Sequence, residues 1–308
     1  MIPILTPEQM AAVDAAAPEP VEELIARAGR AVAREAMSML GGSYGRVVNV
    51  IAGRGNNGAD GRTAADIIAR RGVKVRVIDA AMCPPILPAC DLVIDAAYGT
   101  GFRGEWLAPQ VVSTSSEPVM VLAVDIPSGV DASSGSAGDG VLRADRTVTF
   151  QALKPGLVFA HGRSSSGEVI VADIGLDVTG ADRYLVEASD VAAWWPERVA
   201  DAHKWNGAVR IVAGSPGMHG AARLCAAAAA RSGAGLVALS SPGGAPWARD
   251  EVIQRPVPAE GFADDVLDDL DRFGSLVMGP GLGRDEATVV VEFASAGGRE
   301  NNIESRVG

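Results

Sequence analysis

A loop rich in glycine and carboxamide side chains offers the first chemistry in this sequence of 308 residues. In the stretch AGRGNNGADG, which begins at Ala52, Gly53, Gly55 and Gly58 have the G-x-G-x-x-G spacing of dinucleotide-binding loops. Glycines let backbone N–H groups approach a ligand closely, and a helix that begins behind them favours anionic groups. Two asparagines and Asp60 crowd the same loop. The pattern alone therefore leaves open whether the loop holds NAD or another ligand.

Carboxylates follow three further predicted strands. Asp79 ends VKVRVID, Asp95 opens DAAYGTG and Asp125 opens DIPSG. In an open parallel sheet, ligands bind in the crevice beyond the carboxyl ends of the strands, so these groups are expected at one crevice. An aspartate at a strand end often caps the next helix, and this structural role is favoured for Asp79, although a ribose-binding acid is expected near the same position.

Short apolar segments alternate with helical segments in the first half of the chain. Strands are predicted for RVVNVIAG, VKVRVID, DLVID, VMVLAVD, TVTF and EVIVADIG, and helices for VEELIARAGRAVAREAMSML and for RTAADIIAR, which begins at Arg62. This order predicts right-handed crossovers and an α/β fold, a doubly wound, Rossmann-like three-layer domain. A second α/β pattern begins near His203. The predicted domains are residues 1–190 and 200–308.

The composition excludes several classes of function. A net charge of −11 argues against nucleic acid, whose phosphates favour clustered Lys and Arg. No apolar run approaches the roughly 18 residues of a membrane span, and the N-terminus lacks the basic residues of a secretory signal. The 3 cysteines form no C-x-x-C pair, which is typical of reduced thiols. We therefore expect a cytoplasmic protein with a small-molecule substrate and neither a nucleic-acid nor a membrane partner. A homo-oligomer is left open.

Long motifs in the first half resemble a known family. GNNGADG, DAAYGTG and VDIPSGVDASSG, each after a strand, resemble the YjeF N-terminal family of NAD(P)H-hydrate epimerases, and the similarity continues through ADRTVTFQALKPGL and GEVIVADIGLD. It covers nearly all of residues 1–180, with Ala59 standing where a glycine is commoner. The resemblance implies that the substrate is hydrated NADH or NADPH, which carries a hydroxyl on the ring carbon next to the nitrogen. The implied reaction interconverts the R and S epimers at that carbon.

The resemblance also implies the residues of the site. Asp125 is the candidate general acid and base. The substrate would be bound by Asn56, Asn57, Gly58, Ala59, Asp60, Gly99, Thr100, Gly101, Phe102, Arg103, Gly104, Glu105 and Asp125. A potassium ion would be held by Asn57, Asp95 and Ser128, whose amide, carboxylate and hydroxyl or carbonyl oxygens suit a hard cation. For Lys154, in KPG, a structural or phosphate-neighbouring role is favoured over catalysis.

The second half resembles the opening of another domain. HKWNGAVRIVAGSPGMHGAARLCAAAAARSGAGLV and VMGPGLG are similar to the ribokinase-like, ADP- or ATP-dependent NAD(P)H-hydrate dehydratases. Ala221 and Gly283 match stretches that line the substrate site of that family. The family's later signature stretches do not follow GPGLG. The sequence therefore predicts an incomplete lyase domain without dehydratase activity, and ADP or ATP would serve only a complete domain.

Two other function classes stay open beside nicotinamide nucleotide repair. An NAD-dependent oxidoreductase would bind intact NAD(H) and transfer a hydride, but the sequence offers no evident proton-relay partner. A non-catalytic YjeF-type binding module would not need a catalytic constellation, and Asp60, Asp95, Asp125 and Ser128 are all present. The epimerase interpretation is therefore favoured.

Overall fold

The computed structural model describes residues 1–102, 104, 106–195, 197, 200–244 and 250–283. The chain divides into two compact units, Met1–Trp195 and Pro196–Gly308. Within the described residues, no helix combines the length and the apolar character needed to cross a lipid bilayer.

The first unit consists of eight strands and six helices among its described residues. The strands are β1 Ile2–Pro3, β2 Val47–Ala52, β3 Lys74–Asp79, β4 Leu92–Ala96, β5 Met120–Val124, β6 Arg146–Phe150, β7 Glu168–Ala172 and β8 Tyr184–Leu185. The helices are α1 Pro7–Ala16, α2 Val21–Leu40, α3 Asn56–Arg70, α4 Pro155–Val158, α5 Ala160–Ser165 and α6 Ala188–Trp194. A short 3-10 helix spans Ala80–Met82.

The main sheet of the first unit is parallel throughout, as the alternating pattern predicts. Its six strands lie in the order β3-β2-β4-β5-β6-β7. The chain moves from β2 to β3 on one side and then returns to place β4 on the other side of β2. The strand order therefore reverses between β2 and β4, and a ligand crevice is expected at the carboxyl ends of these two strands. A separate two-stranded antiparallel pair joins β1 to β8.

The two faces of this sheet are covered differently. The long helices α2 and α3 pack against each other and on one face, where the buried side of α2, including Leu24, Ala28 and Val32, joins the main core. On the other face, Ile51 and Val93 pack with Leu87 and Cys90, which lie on a connecting segment. The predicted three-layer α/β arrangement is confirmed, with short helices and connecting segments forming the third layer.

The start of α3 differs from the prediction. The glycine-rich stretch was expected to be a loop that ends before Arg62, but α3 already begins at Asn56. The reason is close packing on the sheet. A Cβ at Gly58 would stand 1.9 Å from the carbonyl oxygen of Gly53, and one at Gly61 would stand 2.4 Å from the Cβ of Ala96. Glycine at both positions lets the first turns of α3 lie directly against the ends of β2 and β4.

The second unit has a smaller parallel sheet. Its described strands are β9 Ala208–Val212, β10 Leu236–Ser240, β11 Val252–Gln254 and β12 Ser275–Met278, in the order β11-β10-β9-β12. Its helices are α7 His219–Arg231 and α8 Ala263–Leu267, with 3-10 turns at Lys204–Gly207 and Leu270–Arg272. The alanine-rich α7 packs on β9 and β10, where Ala222 and Ala226 are buried. The strand order reverses between β9 and β12.

Candidate active site

A cavity of about 910 Å³ lies in the first unit where the strand order reverses. Its walls include the segments that follow β2 and β4, together with Asp125 after β5 and Ile174 after β7. The opposite wall comes from Met10 and Asp14 of α1 and from apolar residues of α2. The cavity therefore has a polar side at the strand ends and an apolar side along α2, as pockets for dinucleotide-sized ligands commonly do.

Most of the residues predicted to bind substrate line this one cavity. They are Asn56, Asn57, Asp60, Gly99, Thr100, Gly101, Phe102 and Asp125. Gly58, Ala59 and Gly104 are not among the lining residues. Gly58 is instead buried against Gly53, so it allows the backbone of α3 to pack closely on the end of β2. Arg103 and Glu105 lie outside the described residues. The sequence prediction thus places most of its members at one crevice.

The N-terminus of α3 faces this cavity, and no side chain caps the first backbone N–H groups of the helix. Gly55 is the N-cap residue, and no side chain caps it; the first turn contains no acidic residue. Arg54, immediately before it, is exposed and lines the cavity. The first N–H groups of a helix and its macrodipole favour anions. This wall can therefore accept phosphate groups.

Replacing Gly58 with alanine is expected to destabilise the first unit. The alanine Cβ would stand 1.9 Å from a backbone carbonyl oxygen, which cannot move aside as a flexible side chain does. Overpacking of this kind costs about 1–3 kcal/mol, more than the roughly 1 kcal/mol that alanine gains over glycine in a helix. Thermal unfolding checks the result. Gly55→Ala is the matched control, because no described atom lies within 4 Å of its added Cβ; equal melting temperatures for the two variants would contradict this account.

Asp125 forms a buried ion pair with Lys154. The Lys154 Nζ donates to Asp125 Oδ1 at 2.6 Å, to Thr149 Oγ1 at 2.8 Å and to the Phe150 carbonyl at 3.2 Å. The lysine side chain is 1% exposed, so all of its donors are satisfied away from water. Thr149 Oγ1 also lies 3.2 Å from Asp125 Oδ1 and donates to it. Lys154 thus contacts the candidate catalytic carboxylate itself, a partner that the sequence prediction did not name.

The backbone at Asp125 is held in an unusual conformation. Its φ is 67°, in the left-handed region that few non-glycine residues adopt, and its N–H donates to the Val148 carbonyl at 2.7 Å. The second carboxylate oxygen, Oδ2, is 3.3 Å from the point where a Cβ of Gly99 would stand. One oxygen of Asp125 is therefore paired with Lys154, and the other faces the loop that follows β4.

Asp60 is a buried carboxyl group in the same cavity. It is 6% exposed, and burial is the main reason why its pKa is raised to about 8. The charges of Asp125 and Asp14 raise the pKa of Asp60 further, and Lys154 opposes them. Burial also raises the pKa of Asp14, which Lys154 lowers in part. Asp60 is therefore mostly protonated at neutral pH, although sequence reasoning had treated it only as a polar contact.

Asp95 and Ser128 lie buried beside the cavity rather than on its lining. Ser128 donates to Asp95 through its N–H, at 2.9 Å, and through its hydroxyl, at 2.6 Å. The Tyr98 N–H donates to the same hydroxyl oxygen at 2.9 Å. Burial raises the pKa of Asp95, and the hydrogen bonds from Ser128 counteract this in part. This cluster fixes the segment that leads from β4 to Gly99.

The side-chain amide of Asn57 is a candidate ligand-binding group. Its Oδ1 and Nδ2 are both buried and, in the part of the chain that the structure describes, neither has a hydrogen-bond partner. Its side chain stands 3.3 Å from the Cβ position of Gly99, the residue that follows Tyr98, whose N–H donates to Ser128. A buried amide without a partner costs about 1–3 kcal/mol, so a bound group that satisfies it is expected.

Asp79 has the structural role that was favoured for it. Its Oδ1 accepts from the Ala81 N–H at 2.8 Å and caps the 3-10 helix that follows β3. Asp79 is not among the residues that line the cavity. Asp79, which stands where the sequence pattern would place a ribose-binding acid, therefore caps a helix instead.

Sequence reasoning missed two charged members of the cavity. Asp14 lies on α1, far along the chain from the motif loops, and its segment carries no motif. Arg54 lies inside the glycine stretch but was not singled out. Arg54 could have been predicted as a site residue because it lies within the glycine-rich stretch. Asp14 is identified only by the packing of α1 against the cavity.

The two residues predicted for the second unit lie at its own strand-order reversal. Ala221 is on α7, and a Cβ at Gly281 would stand 2.9 Å from the Cβ of Ala221. Gly283 follows shortly after Gly281. The loops after β9 and β12 are joined by the Ser215 hydroxyl, which donates to the Gly281 carbonyl at 2.8 Å. Gly281, two residues before the predicted Gly283, thus packs against Ala221 in the second unit.

The wound parallel sheet and the crevice at its reversal define a Rossmann-like α/β protein. Residues 21–89 and 78–156 match the family model described as YjeF-related protein N-terminus, and residues 209–297 match that described as NAD(P)H-hydrate dehydratase. The chain therefore belongs to the YjeF-related family through its first unit, and its second unit contains part of a domain of the dehydratase family.

Several curated relatives match both units. Proteins named bifunctional NAD(P)H-hydrate repair enzyme Nnr are 34% identical in Mycobacterium tuberculosis (83% of this chain, 56% of the relative), 33% in Coxiella burnetii (86% and 61%) and 31% in Escherichia coli (77% and 52%). The chain thus spans little more than half the length of these relatives. A crystal structure of yeast ynu0 aligns with a TM-score of 0.39 and 18% identity, over 55% of this chain and 86% of that chain.

Proposed function

We propose that the first unit interconverts the R and S epimers of hydrated NADH and NADPH. The observation that carries this proposal is the convergence of the two glycine-containing segments, 54–60 and 97–102, and Asp125 on one cavity. The relatives in Mycobacterium tuberculosis and Escherichia coli are named for NAD(P)H-hydrate repair, which supports the same substrate. We assign the epimerase domain to residues 1–190 and the partial dehydratase domain to residues 200–308.

The cavity suits a dinucleotide whose nicotinamide ring has been hydrated. The uncapped N-terminus of α3 and Arg54 provide for the phosphates, and the apolar side of α2, with Leu24 and Ala28, provides for flat ring surfaces. At the damaged ring, the hydroxyl can leave with electrons supplied by the neighbouring nitrogen and can return from the other face. Proton transfer at that oxygen needs an acid and a base, and Asp125 is the carboxylate that we place beside it.

An oxidoreductase is less well supported by the same cavity. Hydride transfer needs intact NAD(H) bound with its ribose fixed, and Asp79, the acid in the expected sequence position, instead caps a turn. A non-catalytic binding module would have no use for a buried Asp125–Lys154 pair that lines a cavity. The epimerase function uses both the cavity and the Asp125–Lys154 pair.

We place a potassium ion at Asn57, Asp95 and Ser128, and the local chemistry fits it. The Asp95 side chain is 1% exposed, and the groups that hydrogen-bond it, from Ser128 and Ala97, are neutral. No cationic side chain pairs with Asp95 among the described residues. The Asn57 amide oxygen is buried without a donor in that same part of the chain. A hard monovalent cation would satisfy both oxygens, and the Ser128 carbonyl would supply a third, because the Ser128 hydroxyl already binds Asp95.

Potassium is expected to stabilise the protein and to raise its epimerisation rate. A ligand that binds only the folded state raises the melting temperature by mass action, so potassium chloride should raise it above the value in lithium chloride at equal ionic strength. Asn57→Ala removes one ligand and should abolish that difference. Asn56→Ala is the matched control, because Asn56 is exposed beside it. Equal melting temperatures in both salts for the unchanged protein would contradict the cation site.

The test of the proposed function starts from the epimer that a complete dehydratase does not consume. The purified chain is supplied with this epimer, and the complete dehydratase converts the other epimer to NADH or NADPH as it forms. Absorbance at the reduced nicotinamide then reports epimerisation. A rate no higher than that without the chain would refute the proposal. A cytoplasmic location stays a prediction, a homo-oligomeric state stays open, and ADP or ATP would serve only a complete dehydratase domain.

A further inference from the structure

Epimerisation poses a geometric problem that a single carboxylate does not solve. The hydroxyl leaves from one face of the ring and returns to the opposite face, so protons are moved on both sides of the same carbon. Asp125 stands on one wall of the cavity, after β5, and its Oδ1 is held by the Lys154 ammonium at 2.6 Å. One oxygen of this carboxylate is therefore occupied by a fixed ammonium group, and a single carboxylate on one element cannot reach both faces of the ring.

Asp60 is a second carboxyl group that reaches the same cavity from a different element of the fold. It lies on α3, lines the same cavity and is 6% exposed. Among the described residues, no group hydrogen-bonds its carboxyl and no cation forms an ion pair with it, in contrast to Asp125. The two aspartates thus occupy environments of opposite kind within one cavity, the arrangement that separates an acid from a base in carboxylate enzymes.

We propose that Asp60 and Asp125 act as a pair on opposite faces of the hydrated ring, with Asp60 as the acid and Asp125 as the base. This inference rests on the proposed epimerase function. In one direction the ring C–O bond breaks, the lone pair of the ring nitrogen forms a C=N bond, and the Asp60 proton moves to the leaving oxygen to release water. Water then adds to the opposite face, its proton goes to Asp125, and the C=N electron pair returns to the nitrogen.

The proton count closes over one turnover. One proton has moved from Asp60 to Asp125, and exchange with water in the cavity returns it. The reverse reaction uses the same two groups with their roles exchanged. In the direction in which Asp60 is the acid, the free enzyme needs Asp60 protonated and Asp125 ionised, a state that is lost when Asp60 ionises.

The charged surroundings of Asp60 determine the direction of its pH dependence. Asp14 on α1 and Asp125 after β5 raise its pKa, and Lys154 lowers it. From α2, the cavity receives apolar side chains, and Arg54 lines it from the segment after β2. Since the pKa of Asp60 is about 8, kcat/KM should be retained at neutral pH and lost as the pH rises through about 8.

The decisive variant is Asp60→Asn, which keeps the shape of a neutral carboxyl but has no acidic proton. We expect kcat to fall by about 10²–10⁴-fold, the usual contribution of a general acid, with KM little changed. The small remaining rate should no longer decline near pH 8. Asp14→Asn removes a neighbouring negative charge and should move the decline of the full enzyme to lower pH. Asp66→Asn, exposed on the same helix, is the matched control and should change neither.

The outcomes separate this inference from the function on which it rests. If the unchanged chain does not interconvert the epimers, the epimerase function itself fails. If the unchanged chain is active and Asp60→Asn retains its kcat, only the two-carboxylate assignment is overturned. A slow Asp60→Asn variant whose rate still declines near pH 8 also overturns it, because another group then titrates. Circular dichroism of each variant confirms that a lost rate is not a lost fold.

Discussion

Replacing Asp125 with asparagine is expected to lower kcat/KM for epimer interconversion by about 10²–10⁴-fold. Asparagine keeps the size of the side chain but cannot accept the proton that a carboxylate accepts. It also tolerates a positive φ better than most residues, so the backbone at φ 67° should persist. The Lys154 ammonium can still donate to the amide oxygen. The loss should therefore appear in the rate, measured with the coupled dehydratase. Because the buried Lys154 ammonium loses its countercharge, the variant should also be less stable, and circular dichroism checks that it is folded under the assay conditions.

The control for this variant is another aspartate that follows in the same part of the chain. Asp139 is exposed and does not line the cavity, so Asp139→Asn should leave kcat/KM unchanged. A comparable loss in both variants would point to an unspecific effect. Near wild-type turnover in Asp125→Asn would remove Asp125 from the chemistry and leave Asp60 without its partner.

The sequence predicted the positions of the strands well because each is a short apolar run between polar segments. Val47–Ala52 and Leu92–Ala96 are buried along almost their whole length, and such strands leave a clear pattern. The same pattern placed Asp95 and Asp125 at strand ends. The rule that ligands bind at these ends then brought most of the predicted site together without any knowledge of distances.

The parts that were wrong or missed depend on packing between distant segments. Glycine suggested a loop at 56–61, and only the approach of α3 to the carbonyl of Gly53 explains why these residues are helical. Lys154 lies 29 residues from Asp125, and no spacing rule joins a lysine before a short helix to an aspartate after a strand. The same holds for Asp14, whose helix reaches the cavity by tertiary packing alone.

The acid character of Asp60 could not be inferred from its motif. An aspartate among asparagines and glycines suggests a solvated polar loop, in which a carboxyl is ionised at neutral pH. Its burial at 6% exposure, and its position near Asp14 and Asp125, are properties of the folded cavity. The sequence thus identified most of the residues that meet, and the structure adds that burial raises the pKa of Asp60.

Replacing Lys154 with methionine is expected to destabilise the first unit by about 3–5 kcal/mol, because removing one partner leaves a mostly buried charge uncompensated. The lysine is 1% exposed, and the Asp125 side chain is 13% exposed. Methionine fills similar space but donates to none of Asp125, Thr149 and the Phe150 carbonyl. The free energy of opening, measured by native-state hydrogen exchange of β5 and β6, reports this loss for the first unit separately.

A second substitution determines whether the charge is the cause. If the unpaired carboxylate is responsible for the loss, Lys154→Met combined with Asp125→Asn should be more stable than Lys154→Met alone, since the double variant buries no charge. Lys74→Met, at an exposed position of β3, is the matched control and should change stability by less than about 0.5 kcal/mol. A double variant no more stable than Lys154→Met alone would assign the loss to packing. Lys154 would then support the fold by packing rather than by its charge.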